Sequence, residues 1–124
     1  LIFKIINAQR NNDDFITLFG DGTPLRQFMH ASDLAKVISQ YISKNCNESF
    51  NVAPDVNMSI EDFAKTAIKV CHNKNMSIKY DDSKPNGQYR KDVDTTLFQQ
   101  QIKNFKFKSL TKGIEEVYEY YKKR

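Results

Sequence analysis

Apolar residues recur along this chain with two periods, and the change from one to the other marks out its elements. Leu1 to about Gln9 reads as the end of a helix, and Arg10-Asn-Asn-Asp-Asp14 as a polar loop. Ile16 and Leu18 alternate with Thr17 and Phe19, the period of two that a half-buried strand shows. Gly20-Asp21-Gly22 supplies the positive-φ positions of a turn, and Arg26 follows on a second short strand beside Phe28. Leu34, Val37, Ile38, Tyr41 and Ile42 return at helical spacing as one buried stripe, on a helix that Ser32 can cap and that ends near Asn45. Ser49 to Val52 reads as a short strand closed by Pro54. Ser59 with Asp62 resembles a capping box, and Ile60, Phe63, Ala64, Ala67, Ile68 and Cys71 form the next stripe. Ser77 to Tyr80 is predicted as a strand, 82–91 as a loop containing Pro85 and Gly87, and Thr95 to Gln101 as a short helix. After a polar connection, Ser109 to Lys123 is the last helix, with Ile114, Val117, Tyr118 and Tyr121 inward. No repeat or linker interrupts the pattern, which predicts one mixed α/β (α+β) unit over residues 1–124.

Composition narrows the classes open to such a unit. A length of 124 residues suffices for one core rather than two domains. With no secretory pattern and no long apolar run, the chain reads as soluble and cytoplasmic, with no membrane partner. Leu1, standing where an initiator methionine would, reads as a cut point in a longer protein. Cys46 and Cys71 are too few and too isolated for a disulfide scaffold or a metal site, and are predicted to be reduced packing residues. Nineteen Lys and Arg against fifteen Asp and Glu leave a net charge of +4. The lysines are scattered, however, and Lys122-Lys123-Arg124 is a solvated helix end, so no nucleic-acid partner is expected.

The residues that offer chemistry cluster between Gly20 and Ala35. A guanidinium at Arg26, held on rigid backbone, can fork two hydrogen bonds onto a phosphate; the alternative is a structural arginine paired with a carboxylate. His30 beside Asp33 points to a hydrogen bond that orders the strand-to-helix corner rather than to proton transfer, and His72 is read as a surface residue at a helix end. Tyr118 and Lys122 lie four apart on one helical face, where a lysine can lower a tyrosine pKa. Tyr118 belongs to the apolar stripe, so it is assigned to the core, and no catalytic residue is assigned in this chain. Gly20, Gly22, Gly87 and Gly113 do not form the Gly-rich strand-to-helix turn that seats a dinucleotide pyrophosphate, so no cofactor is expected on it.

Gly20-Asp-Gly-Thr-Pro-Leu-Arg26-Gln-Phe-Met-His30-Ala-Ser-Asp33-Leu-Ala35 resembles the G-x-G-x-x-x-R-x-F-[hydrophobic]-[H/Y]-x-x-D-[hydrophobic]-A signature of the extended short-chain dehydrogenases that rework nucleotide-sugars, the NAD-dependent epimerase/dehydratase family. Tyr80-Asp-Asp-Ser-Lys-Pro-Asn86-Gly-Gln-Tyr-Arg-Lys91 is similar to F-D-x-[ST]-K-x-D-G-x-x-[KR]-K, typical of its GDP-L-fucose synthase branch. The resemblance covers all of this chain but only the last part of the family's usual length. It implies a small C-terminal substrate-binding domain without its N-terminal Rossmann domain, NADP(H) bound by that absent domain, and a homodimer in the full-length enzyme. It further implies that the fragment alone is inactive, because the Ser, Tyr and Lys of hydride transfer and the acid/base pair of epimerisation are expected before Leu1.

The same resemblance implies substrate-binding roles for Lys4, Phe19, Arg26, Asn86 and Lys91. Lys4 takes the place of a basic residue on a helix facing the substrate, or is merely a solvated lysine. Phe19 stands where tryptophan is common, keeping the aromatic face and losing the indole N–H. Arg26 and Lys91 would contact the diphosphate, with Lys84 and Arg90 as neighbours able to substitute for Lys91. Asn86 stands where aspartate is more frequent, keeping one acceptor, adding donors and losing the charge. The leading expectation is thus a domain that grips the nucleotide end of a GDP-sugar. The alternatives are the same domain of another nucleotide-sugar epimerase, dehydratase or reductase, and a non-enzymatic phosphate- or protein-binding module. An unpaired domain face is expected to leave an apolar patch near 49–52.

Overall fold

A computed structural model describes residues 1–71 and 75–124. Its elements run in the order α1 (Ile2–Asn11), β1 (Phe15–Phe19), β2 (Leu25–Arg26), α2 (Ala31–Ser43), β3 (Met58–Ser59), α3 (Ile60–Val70), β4 (Ser77–Asp81), α4 (Thr96–Gln101) and α5 (Leu110–Lys122). His72, read above as a surface residue, lies outside the described residues.

The predicted alternation in β1 is seen directly: Ile16 and Leu18 are buried, whereas Phe19 at the strand's end is exposed. β1 pairs in parallel with β4, Phe15 opposite Ser77 through Phe19 opposite Asp81. A parallel pair needs a long crossover, and here it carries β2, α2, β3 and α3. Around this ribbon Ile5, Ile6 and Ala8 of α1, Ala64, Ala67 and Ile68 of α3, and Ile114 and Tyr118 of α5 close into one apolar cluster with Ile16 and Leu18. Burying an isoleucine-sized side chain contributes about 1.5–3 kcal/mol, so this cluster fixes β1 and β4 against the helices. A smaller cluster of Val37, Phe98 and Ile102 takes in Phe50, Val52, Phe105 and Phe107.

Several expectations need correction. α1 runs two residues further than predicted, because Asn12 adopts a left-handed φ of 59° and its N–H caps the carbonyls of Ala8 and Gln9. Helix α2 starts at Ala31 with His30 as its cap; the Ser32 N–H donates to His30 Nδ1 at 3.1 Å, so Ser32 is capped rather than capping. Only Val37 of the α2 stripe is buried, while Leu34, Ile38 and Ile42 are 41%, 51% and 68% exposed. Residues 49–52 form no strand, since Phe50 and Val52 pack side-on into the Phe98 cluster. Three neighbouring apolar residues are accordingly left open on α2, whereas Phe50 and Val52 are partly buried. Tyr121 is also exposed, having swung outward to an edge-on contact with Phe3.

Other local features follow the sequence closely. Ser59 caps α3 through a 2.9 Å bond from the Asp62 N–H, and its hydroxyl donates to the Asp62 carboxylate at 2.8 Å. Cys46 and Cys71 are free thiols, and burial pushes the Cys71 thiol up to about 11. Among the described residues no helix is long and apolar enough to cross a membrane.

Candidate functional site

The turn between β1 and β2 is where the two sequence motifs meet. Gly20 and Gly22 both have positive φ, 68° and 78°. A Cβ on Gly20 would fall 2.0 Å from Asn86 Oδ1, so the absence of a side chain there makes room for the Asn86 amide as well as for the backbone bend. Between the glycines, the Asp21 N–H donates to Asn86 Oδ1 at 2.7 Å. The Asp21 carboxylate accepts from both the Thr23 N–H and its hydroxyl, at 2.9 and 2.7 Å. These bonds hold the Asp21 carboxyl below its ordinary pKa, Thr23 being the principal cause.

Backbone bonds extend the junction on both sides. The Gly20 N–H reaches the Asp81 carbonyl at 3.0 Å, and the Leu25 N–H reaches the Tyr89 carbonyl at 2.7 Å. Leu25 and Arg90 form a parallel bridge, which lays the end of the 82–91 loop along β2. On the other face of the turn, the Gly22 carbonyl accepts from the Glu61 N–H at 2.9 Å, and the Tyr80 ring lies against Gly22. The Tyr80 hydroxyl donates to Glu61 Oε1 at 2.5 Å, and Lys65 pairs with the same oxygen at 3.1 Å. Donating to that carboxylate pushes the Tyr80 phenol up to about 12, while the phenol and Lys65 hold Glu61 below its usual range.

The five predicted site residues fall around this junction in different states. Lys4 Nζ donates to the Thr17 carbonyl at 2.8 Å and sits 4.4 Å from the centre of the Phe19 ring. That ammonium is therefore anchored at the end of β1, with two N–H donors left for an anion. Phe19 itself offers an open aromatic face, 62% exposed. Arg26 is half-buried on β2; its Nη1 donates to the Leu25 carbonyl at 2.6 Å, and no ion pair engages it among the described residues. The carboxylate partner of the structural alternative is thus absent from those residues. Asn86 is occupied by Asp21, as described. Lys91 is exposed, next to an Arg90 whose guanidinium pairs with Asp92. Arg90, a neighbour expected to be able to substitute for Lys91, is thus already engaged by Asp92.

The His30–Asp33 corner is ordered as expected, by different bonds. Asp33 is fully buried and accepts from the Lys108 N–H at 2.7 Å, while His30 bonds Ser32 and faces Glu116 at 3.8 Å. Tyr118 is core: its hydroxyl donates to Gln9 Oε1 at 3.1 Å. Sequence reasoning passed over Gln27, which donates to the Pro54 carbonyl at 2.9 Å and accepts from the Val93 N–H at 3.2 Å, tying β2 to both flanking loops. Its one signal is a polar residue between Arg26 and Phe28.

None of the four glycines supplies the strand-to-helix turn on which a dinucleotide pyrophosphate sits. Gly20 and Gly22 lead into β2, Gly87 lies in a loop and Gly113 sits inside α5, so none opens a helix at the end of a strand. Residues 1–53 match the sequence model described as the NAD dependent epimerase/dehydratase family, and the chain belongs to that family. It is 31% identical over 119 residues to a GDP-L-fucose synthase of Dictyostelium discoideum, covering 94% of this chain and 37% of that protein. It is 33% identical over 99 residues to a GDP-L-colitose synthase of Yersinia pseudotuberculosis, covering 78% of this chain and 32% of that one. Among solved structures, a GDP-L-fucose synthetase from Naegleria fowleri superposes over 100% of this chain and 38% of its own, with a TM-score of 0.88 and 26% identity. The same Naegleria protein has been solved bound to NADP. The chain thus spans about a third of the length of these relatives.

Proposed function

We propose that this chain is the substrate-binding portion of an NADP-dependent GDP-L-fucose synthase, which epimerises and reduces GDP-4-keto-6-deoxy-D-mannose to GDP-L-fucose. The observation that carries the reading is Arg26, a half-buried guanidinium on a strand, oriented by the Leu25 carbonyl and free of any acidic partner among the described residues. A cation so placed lacks the anion that would balance it, and a diphosphate supplies one bidentately. Lys4 and Lys91 add two more cations, and the exposed Phe19 ring gives an apolar face beside the Lys4 ammonium.

On this reading the chain's contribution is positional. Gripping the nucleotide end sets the sugar in place for groups that lie elsewhere in the protein, catalysis by proximity rather than by chemistry of its own. NADP(H), which supplies the hydride, belongs on a separate dinucleotide-binding domain, and the full-length enzyme is expected to be a cytoplasmic homodimer.

Titrating the intact protein with GDP, UDP and dTDP tests the assignment. GDP is expected to bind most tightly, and equal or stronger binding of UDP would remove it. The likeness to a GDP-L-colitose synthase favours a second reading, in which the base is still guanine and the sugar differs. Turnover assays with the two GDP-keto-sugars separate these, and no turnover with any nucleotide-sugar would leave a phosphate-binding module.

A further inference from the structure

Asn86 was expected to meet the nucleotide, yet its side-chain oxygen is taken up by the protein's own backbone. Its Oδ1 accepts the Asp21 N–H at 2.7 Å, in the space that Gly20 leaves by lacking a Cβ. We infer that Asn86 and Asp21 form a matched latch, a positioning pair that clamps the 82–91 loop onto the Gly20–Gly22 turn and so sets Lys91 beside Arg26. This rests on the nucleotide-binding reading for its consequence, though not for its geometry.

The chemistry of the pair explains why an amide stands at position 86. The acceptor oxygen takes the backbone N–H of a residue whose own carboxylate is held by Thr23, and the Asn86 amide is a lesser cause of that carboxyl's lowered pKa. An aspartate at 86, the more frequent residue in the resembled pattern, would keep the acceptor. It would also set a second carboxylate against Asp21. The charge at 21 therefore dictates neutrality at 86.

The latch sits where the two halves of the site join. Residues 81–91 meet the turn through two backbone bonds and one side-chain bond, and only the last depends on a residue's identity. Arg26 lies next to Leu25, whose N–H and bridge partner are Tyr89 and Arg90. Loosening the loop therefore moves Lys91 relative to Arg26 without touching either cation.

The test is a charge-swap pair in the intact protein, read by hydrogen exchange at the Asp21 amide and by GDP titration. Asn86→Asp is expected to speed exchange at Asp21 and to weaken GDP about five- to ten-fold, because the two carboxylates repel and push the loop off the turn. Adding Asp21→Ser should restore protection and bring affinity within about two-fold of the parent, a recovery that plain loss of a ligand contact would not show. Asn86→Ala, which removes the acceptor without adding charge, should lose protection with or without Asp21→Ser. Unchanged exchange in Asn86→Asp, or a double variant no better than the single one, overturns the latch. If exchange follows the expected order while the parent binds no GDP, the latch stands and the nucleotide reading falls.

Discussion

The Asp33 carboxylate, fully buried at the start of α2, accepts a 2.7 Å hydrogen bond from the backbone N–H of Lys108, 75 residues further along the chain. One side chain thereby joins the corner after the Arg26 strand to the approach of the last helix. Lys36 reaches the other oxygen at 3.4 Å from the surface. Replacing Asp33 by Ala strands the Lys108 N–H and should cost about 1–3 kcal/mol in urea unfolding. Asp33→Asn, which can still accept that bond through its carbonyl oxygen, should cost less; equal losses would show that charge rather than the bond matters.

Arg26 is predicted to dominate nucleotide affinity. Arg26→Ala should weaken the preferred nucleotide by roughly 1.5–3 kcal/mol, the range for a hydrogen bond to a charged group. Arg26→Lys should fall between, since a point charge cannot reproduce the fork. Calorimetric titration reads both, and an unaffected Arg26→Ala would remove the diphosphate assignment.

The Tyr80–Glu61 bond gives a pH dependence whose sign is fixed by the raised phenol. Its ordinary value is 10.0 and the folded value about 12, so its stabilising contribution is complete below pH 10 and is lost as pH rises toward 12. The phenolate absorbance that disappears in Tyr80→Phe should titrate near 12, and in Glu61→Gln it should move down toward the ordinary value. A midpoint near 10 in the parent protein would mean that the bond does not form in solution.

Thiol labelling should separate the two cysteines. Cys71 has no exposed surface and a thiol pushed up to about 11, so the reactive thiolate is scarce and inaccessible. Cys46 is half-buried and should be the site modified in native protein, with Cys71 reacting after denaturation. Native labelling mapped to Cys71 would contradict its burial in the main apolar cluster.

Much of this was legible in the residues because local chemistry and tertiary role agree there. The Ser59–Asp62 cap and the alternation of Ile16 and Leu18 each follow from contacts within a few residues. The α2 stripe was misread for a definite reason: periodicity says that one face is apolar, not that anything covers it, and Leu34, Ile38 and Ile42 stay open. His30 escaped as a cap because an imidazole accepts from a helix N–H only in one tautomer. The pairing of Leu25–Arg26 with Met58–Ser59 is two residues long, too short to leave a period. Asn86 and Asp21 meet across 65 residues between two loops, where no spacing rule reaches.

The parallel pairing of β1 with β4 also has a timetable. Ser77 bonds the Asp14 carbonyl from 63 residues away, so β1 leaves the ribosome long before β4, its strand partner among the described residues. At about 5–20 residues per second, that gap is about 3–13 seconds during which the hydrogen-bonding edge beside Phe19 goes unpaired. The strand that presents Phe19 therefore waits on the synthesis of β4 before this edge is paired.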